Sequence, residues 1–322
     1  MELLAWIIVL LPVFQISASP VLVTERVQTA EDKGGDEVSA MEVIINVNSV
    51  ETMPFTSRHS IRFTDIAYSN QRSALICPRG RQCFWPKSSD GAVYIPYVID
   101  PVFSVPQRVQ INQALSAIST VTCIVFTPRS RERDYLNFRS LDGCWSSLGR
   151  TGGQQDISLS RTGCVQKNII SHEMMHALGF IHEHNRGDRD RYIKVLWDNI
   201  TPGFESDFVK RVTNNLGTPY DYDSILHYKS GFFAKHSGLK TLVPIPDSNR
   251  KIGQSSWLTK TDILKINRLY ECKGESKSRA STQTPTTKTT GTTRRATRPV
   301  VGPTIEPNTP TGTGQPGEMN RK

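Results

Sequence analysis

The stretch "SHEMMHALGFIHEHNRGDRD", residues 171–190, decides the fold of this chain. It contains histidines at 172, 176 and 182, although the whole 322-residue chain has only seven. Residues four apart lie on one face of a helix, one turn from each other. His172 and His176 can therefore hold one metal ion, with Glu173 beside them.

The third histidine requires that the helix end. Six residues beyond His176 in a continuing helix, His182 would lie about 9 Å further along the axis at about 1.5 Å per residue. A zinc–nitrogen bond is only about 2.0 Å long, so the chain must turn back. Gly179 tolerates the positive φ that such a turn requires. The sequence therefore predicts that this glycine ends the helix.

The residue types indicate a catalytic zinc site. Three neutral imidazoles without a thiolate favour zinc, and three protein nitrogens leave a coordination position open for water. Zinc lowers the pKa of that water towards about 7. Glu173 can then take the proton and later pass it to a leaving amine. These are the parts of a metalloprotease.

A bare HExxH also occurs by chance in helices, but here the pattern continues as HExxHxxGxxHExxRxDRD. Every fixed position is occupied, by His172, Glu173, His176, Gly179, His182, Glu183, Arg186, Asp188, Arg189 and Asp190. This motif resembles the signature of the astacin family of zinc endopeptidases, a branch of the metzincins. The resemblance spans about residues 73–272.

The resemblance implies an α+β, zincin-like fold with two subdomains on either side of an active-site cleft. The upper subdomain would hold a twisted, mainly parallel sheet with two long helices. The lower one would be mostly irregular, with a C-terminal helix. The resemblance also implies that His172, His176 and His182 bind one Zn²⁺ per chain and that Glu173 is the general base.

The stretch "SILHY", residues 224–228, resembles the Met-turn of the family, SxMHY. The resemblance makes Tyr228 a labile zinc ligand that also stabilises the oxyanion; read alone, it is an ordinary core residue. Leu226 replaces the methionine. The two side chains have similar volumes, and such exchanges usually cost under about 1.5 kcal/mol, although a polarizable sulfur is lost. We therefore expect a functional site.

The stretch "FTDIA", residues 63–67, resembles the pro-segment motif in which an aspartate caps the zinc. Asp65 matches the aspartate, and Thr64 replaces the usual glycine. A carboxylate in the open coordination position would exclude water and keep a zymogen silent.

The stretch "SNQRSALIC", residues 69–77, resembles the activation junction of the hatching-enzyme branch. Cleavage near Arg72–Ser73 would leave a new amino terminus. By the same resemblance its ammonium reaches Glu183, which on its own would be an ordinary surface carboxylate at a helix end.

All six cysteines lie between residues 73 and 272, which suggests three disulfides in a secreted domain. Spacing alone leaves 15 connectivities open, and the absence of CxxC pairs argues against a cysteine zinc site. The resemblance, to the six-cysteine branch in particular, implies the pairs Cys77–Cys83, Cys123–Cys272 and Cys144–Cys164.

The chain divides into four predicted segments. Residues 1–19 include a short apolar run, too short to span a bilayer, and are predicted to be a signal peptide. Residues 20–72 are acidic and polar, as in an activation pro-segment or an extended arm. Residues 73–272 form the catalytic domain, and the Thr- and Pro-rich residues 273–322 are predicted to be disordered. No later segment has the length and apolarity of a membrane anchor.

Periodicity predicts several elements inside the catalytic domain. Residues 91–99, "GAVYIPYVI", are typical of a strand, and shorter strand-like runs begin near residues 123, 135 and 155. A helix is predicted with a buried face made of Ile111, Ala114, Leu115 and Ile118. A closing helix is predicted after a capping box of Thr259 and Asp262.

The net charge of +9 can favour acidic substrates or surfaces, and it motivates the hypothesis that acidic residues flank the scissile bond. No nucleic-acid motif is visible. The sequon Asn199-Ile200-Thr201 predicts N-glycosylation, consistent with secretion.

The sequence therefore predicts a secreted, monomeric zinc endopeptidase that an activating protease converts from a zymogen. Its substrates would be extracellular proteins or peptides, with an egg envelope as one candidate. A catalytically weak, astacin-like binding protein is the alternative, favoured by Leu226 and Thr64. A zincin with a glutamate third ligand is disfavoured by His182 and Gly179.

Overall fold

The computed structural model describes residues 38–49, 60–62, 64–68 and 80–273. The predicted signal peptide, the cleavage site at Arg72–Ser73, Cys77 and the tail beyond Lys273 lie outside these residues. Within them, no helix has both the length and the apolarity needed to cross a bilayer.

Four helices and nine strands make up the described fold. The helices are α1 (Ala40–Ser49), α2 (Val105–Val121), α3 (Lys167–Ala177) and α4 (Lys260–Leu269). The strands are β1 (Ser60–Arg62), β2 (Ile66–Tyr68), β3 (Val93–Ile99), β4 (Ile124–Pro128), β5 (Tyr135–Arg139), β6 (Cys144–Ser147), β7 (Gln154–Leu159), β8 (Ile193–Val195) and β9 (Leu242–Pro244).

Seven strands form one sheet in the order β1-β2-β6-β7-β5-β3-β4. β3 runs parallel to β4 and β5, and β5 runs parallel to β7. β6 is antiparallel to β7, β2 is parallel to β6, and β1 is antiparallel to β2. The sheet is therefore mainly parallel, and the predicted fold class is confirmed.

Local sequence explains how α2 and α4 begin. Ser104 caps α2 and forms a capping box with Gln107, which satisfies donors that a helix start leaves open. The predicted capping box of Thr259 and Asp262 is confirmed at the start of α4. The predicted core face of α2 is also confirmed, since its four apolar residues are all buried. This face and α3 pack together beside the sheet.

Part of the predicted pro-segment belongs to the folded domain rather than to an extended arm. Helix α1 packs against α3 and β6 and buries Met41 and Ile44. Asn48 donates to the carbonyls of Thr64 and Cys144 at 2.8 Å each and accepts from the Cys144 amide. Because β2 also pairs with β6, residues on both sides of Asp65 are anchored to the catalytic domain.

The half of the domain after α3 is mostly irregular, as the resemblance implied. It contains short 3-10 turns, the antiparallel pair β8·β9 and α4. Two disulfides, Cys123–Cys272 and Cys144–Cys164, join distant parts of the domain. Cys83 is also disulfide-bonded, while its predicted partner Cys77 lies outside the described residues.

Candidate metal centre

Helix α3 places His172 and His176 one turn apart, both fully buried. The helix ends at Ala177, and Gly179 follows with a φ of 105°. The chain turns back there and brings the His182 ring to within 5.5 Å and 4.9 Å of the other two ring centroids. The predicted glycine turn is therefore confirmed. A Cβ at this position would also lie 2.9 Å from Cε1 of Phe84.

Outer hydrogen bonds fix the orientation of two of the imidazoles. His172 Nδ1 lies 2.8 Å from the carbonyl of Ile225, and His176 Nδ1 lies 2.7 Å from the carbonyl of Phe180. A carbonyl only accepts, so each Nδ1 carries a hydrogen, and each Nε2 is the ring nitrogen that faces inward, where it can bind a metal ion. Such outer-shell bonds orient metal-binding histidines.

Asp65 is the fourth member of a buried cluster that also contains the three histidines. Its Oδ2 lies 2.9 Å from His172 Nε2, and its Oδ1 lies 3.2 Å from His182 Nε2 and 3.6 Å from His176 Nε2. The four candidate ligand atoms all lie within 4.8 Å of one another, and the four residues are buried. Ligands around a tetrahedral ion with bonds of about 2.0–2.1 Å are about 3.3 Å apart.

The three imidazoles and the Asp65 carboxylate form a set of donor atoms that favours binding of a cation. The Nε2 atoms of His172 and His176 are 3.1 Å apart, and both face the carboxylate of Asp65. Burial lowers the pKa of His172 and lowers that of His182 to about 4, so burial favours neutral rings. Neutral nitrogen donors and one carboxylate, crowded together in a buried space, fit a zinc ion.

Glu173 lies beside this group and is fully buried. Neither of its carboxylate oxygens has a hydrogen-bond partner among the described residues. Burial, and then the negative charge of Asp65, raise the pKa of Glu173 well above its ordinary value. A buried carboxyl group without partners is costly, and a strongly perturbed one beside a metal site is typical of a functional residue.

The turn at residues 224–228 supports the centre through its main chain. Its carbonyl at Ile225 orients His172, and its carbonyl at Leu226 accepts from the Glu183 amide at 3.0 Å. Asp262 accepts from Ser224 Oγ at 2.6 Å and from the Ile225 amide at 3.0 Å. Asp262, the N3 residue in the capping box of α4, therefore also anchors this turn.

Tyr228 is fully buried at the edge of the centre. Its ring centroid lies 5.0 Å from that of His182 and 3.8 Å from that of His184. Its hydroxyl is hydrogen-bonded to Thr64 Oγ1 at 3.1 Å. Burial, and then the charges of Asp207 and Asp65, raise the pKa of Tyr228 well above its ordinary value. Its hydroxyl is therefore neutral in this arrangement.

Glu183 is not a surface carboxylate, because only 3 % of it is exposed. Its Oε2 accepts from Lys265 Nζ at 2.6 Å. Its Oε1 accepts from Arg186 Nη1 and from the Asp221 amide, each at 2.9 Å. The reading of Glu183 as an ordinary surface residue is therefore wrong, and its partner Lys265 was missed because nothing in the sequence marks a buried lysine on α4.

Asn199, the predicted glycosylation site, lies between His182 and Tyr228 in the sequence. Its side chain is half-buried and donates from Nδ2 to the carbonyl of Lys240 at 2.7 Å. Glycosylation there stays a prediction.

Comparison with known proteins agrees with this geometry. Residues 81–271 match the family model described as Astacin, a peptidase family. The chain is 48% identical over 219 residues to an astacin-like metalloendopeptidase of Gallus gallus, covering 68% of this chain and 52% of that protein. It is 44% identical over 209 residues to high choriolytic enzyme 1 of Oryzias latipes, covering 65% and 77%.

A solved structure is also similar. It is that of high choriolytic enzyme 1, a hatching enzyme zinc-protease from Oryzias latipes, with 46% identity and a TM-score of 0.59. The match covers 61% of this chain and 98% of that one. The chain spans about half the length of the bird astacin-like metalloendopeptidases that it matches. With a family match across most of the described domain and the extended zinc motif in place, the chain belongs to the astacin family of peptidases.

Proposed function

We propose that this chain is the zymogen of a secreted zinc endopeptidase that cleaves extracellular proteins, and that the described arrangement is its latent state. The observation that carries the proposal is the position of the Asp65 carboxylate among three metal-binding imidazoles, beside the buried Glu173. A carboxylate in that position occupies the place that water needs.

The chemistry would be divided between the metal and the protein. A zinc ion bound by His172, His176 and His182 supplies Lewis acidity and lowers the pKa of water. The protein itself would transfer the proton. Glu173 would accept a proton from the attacking water and deliver it to the leaving amine. Removal of Asp65 also removes one of the two causes that raise the pKa of Glu173, so activation favours the carboxylate form that a base requires.

Tyr228 would act as a hydrogen-bond donor. Its raised pKa keeps the hydroxyl protonated at neutral pH, and loss of Thr64 would free that hydroxyl for a developing oxyanion. A donor placed in advance in a buried site is worth far more than one in water. Tyr228 therefore has a catalytic role in this proposal. Until activation, its hydroxyl stays hydrogen-bonded to Thr64.

Latency would end by cleavage near Arg72–Ser73 by an activating protease. The pro-segment is held by the pairing of β2 with β6 and by the docking of α1, so it must dissociate after the cut. The freed ammonium of Ser73 would then join the buried cluster of Glu183. That carboxylate already binds Lys265 and Arg186, so the new charge would enter an existing ionic network.

The identity of the substrate is supported only through relatives. The similar solved structure is that of a hatching enzyme zinc-protease, and a second choriolytic relative is 38% identical over 251 residues. Proteins of an egg envelope are therefore the candidate substrates. The predicted signal peptide and the disulfides support secretion.

The test uses the chain from residue 20 to residue 322, cleaved after Arg72. Zinc content and hydrolysis of a quenched protein substrate are measured together, with Glu173→Gln as an isosteric control. The proposal expects one zinc per chain in both proteins and hydrolysis only in the parent. Zinc without hydrolysis in the parent would instead support the alternative of a catalytically weak binding protein.

A further inference from the structure

Thr64 occupies a position next to the reacting centre. It directly precedes Asp65, whose carboxylate lies among the metal-binding imidazoles. Its Oγ1 lies 3.1 Å from the Tyr228 hydroxyl and donates to Asp207 Oδ2 at 3.2 Å. Its φ of 72° lies in the left-handed region, where a β-branched residue is strained and must be held by its surroundings.

Asp207 is held rigidly with respect to the metal centre. Its carbonyl accepts from His184 Nε2 at 2.9 Å and from Asn185 Nδ2 at 2.7 Å. Both donors belong to the segment that directly follows His182. The main chain of Asp207 is therefore fixed by the segment that follows His182, and its carboxylate accepts from Thr64.

The carboxylate of Asp207 also acts on the neighbouring tyrosine. After burial, Asp207 is the largest cause of the raised pKa of Tyr228. The space that Thr64 fills therefore borders the carboxylate of Asp207 on one side and the hydroxyl of Tyr228 on the other.

A substrate must pass through the same space. When a scissile peptide lies where the Asp65 carboxylate now lies, the flanking residue has its Cα only about 3.8 Å away along the chain. Its side chain can then reach the place that Thr64 Oγ1 now occupies. An ionised carboxylate only accepts hydrogen bonds, so this place suits a side chain that donates one.

We propose that Asp207 is a specificity-determining residue that selects, beside the scissile bond, a side chain bearing a hydroxyl, amide or ammonium group and rejects a carboxylate. The inference rests on the proposed endopeptidase function. This selectivity is the opposite of the preference for acidic residues that the net charge of +9 suggests. A contact at hydrogen-bond distance outweighs more distant charges, because solvent screens those charges.

The test uses activated holoenzyme and quenched peptides that differ only in the residue on one side of the scissile bond, then on the other. Ser, Lys, Ala and Asp are compared at each position. On one side, we expect kcat/KM for the Ser and Lys peptides to exceed that for the Asp peptide by about tenfold or more, the size typical of hydrogen bonds to a charged group. Asp207→Asn should remove most of that difference, whereas Asp247→Asn, which removes an exposed carboxylate, should preserve it.

A second measurement does not depend on hydrolysis. The affinities of the same peptides for zinc-loaded Glu173→Gln protein should show the same ranking, and adding Asp207→Asn should flatten it. A ranking that Asp207→Asn leaves unchanged, or a preference for the acidic peptide, would overturn the inference. If the parent cleaves no peptide at all, the proposed function fails, and the affinity series alone then decides the role of Asp207.

Discussion

The Nε2 atoms of His172 and His176 lie 3.1 Å apart while both Nδ1 hydrogens are committed to carbonyls. Two nitrogen lone pairs at that distance repel each other unless a cation binds both. The folded chain should therefore bind zinc far better than the unfolded chain does, and zinc should stabilise it.

Removal of zinc is thus expected to lower the unfolding temperature of the uncleaved chain. A ligand at about 1,000 times its Kd contributes about 4.1 kcal/mol, and about 1 kcal/mol shifts the unfolding temperature of a domain of this size by about 2–4 °C. We expect a decrease of roughly 10 °C on chelation, restored by zinc and measured by calorimetry. His176→Ala should abolish the zinc response, whereas replacement of the exposed His236 by Ala should leave it intact.

Asp65→Ala should make the uncleaved chain active. The change is combined with Arg72→Ala, so that processing at the predicted site is blocked. Because the capping carboxylate is gone, water can enter the site, but Thr64 still contacts Tyr228 and the pro-segment stays docked. We therefore expect hydrolysis of a short peptide clearly above that of Arg72→Ala alone and well below that of the cleaved enzyme. Glu42→Gln is the matched control, since it weakens the ion pair of α1 with Lys229 and leaves the cap. An inactive Asp65→Ala chain with zinc bound would show that loss of the Asp65 carboxylate alone does not end latency.

Leu226→Met should change little. Leu226 is buried, but the contacts that this turn gives to His172 and Glu183 come from main-chain carbonyls. An exchange of similar volumes usually costs under about 1.5 kcal/mol, so we expect kcat within about threefold of the parent. A gain of tenfold or more in kcat would mean that the sulfur of the family methionine contributes to catalysis.

Much of the centre could be predicted from the sequence because its determinants are local. The spacing of His172 and His176 and the position of Gly179 are properties of a helix and its end. The extended motif identified the family, and the expected fold class, family and zinc cofactor are all confirmed.

The parts that could not be predicted depend on tertiary contacts. Residues 40–49 lie within an acidic and polar segment, residues 20–72. Their short apolar pattern therefore did not reveal a helix that packs on α3. The pair of Glu183 and Lys265 joins residues 82 positions apart, and a lysine on an amphipathic helix is ordinarily exposed. The contact of Thr64 with Asp207 likewise joins positions far apart in the chain, with no local signal.

Gly253→Ala should destabilise the backbone at His227 and Tyr228. Gly253 has a φ of 65°, and an added Cβ would lie 2.5 Å from the carbonyl oxygen of His227 and 2.7 Å from that of Tyr228. These are backbone atoms that cannot move without the tyrosine, so we expect the free energy of unfolding to fall by about 3 kcal/mol or more, by analogy with overpacking and backbone strain. Gly238→Ala is the matched control.

Gly238 has a φ of 84° but no atom near its added Cβ, so only the backbone strain of about 1–2 kcal/mol remains. Denaturant unfolding of the two uncleaved variants separates the steric contribution to the loss of stability from the conformational one. Equal losses in the two variants would contradict the close approach of residue 253 to Tyr228.

Alkaline pH should destabilise the uncleaved chain through Lys265. Burial alone lowers the pKa of this lysine, but Glu183 and Asp262 outweigh it, and the net pKa lies above the ordinary value. A raised lysine pKa gives stability that is fully present below the unfolded-state pKa of about 10.4. That stability is lost as the pH rises through the folded-state pKa.

The free energy of unfolding should therefore decrease above about pH 10.4, and Lys265→Met should remove that part of the decrease. Because Arg186 still pairs with Glu183 in the variant, we expect a loss of about 3 kcal/mol at neutral pH, the lower end for a broken buried pair. Lys260→Met, on the exposed face of the same helix, is the control and should retain the alkaline decrease. Urea unfolding at pH 7 and pH 11 measures both effects, and an unchanged pH dependence in Lys265→Met would assign the alkaline loss to other groups.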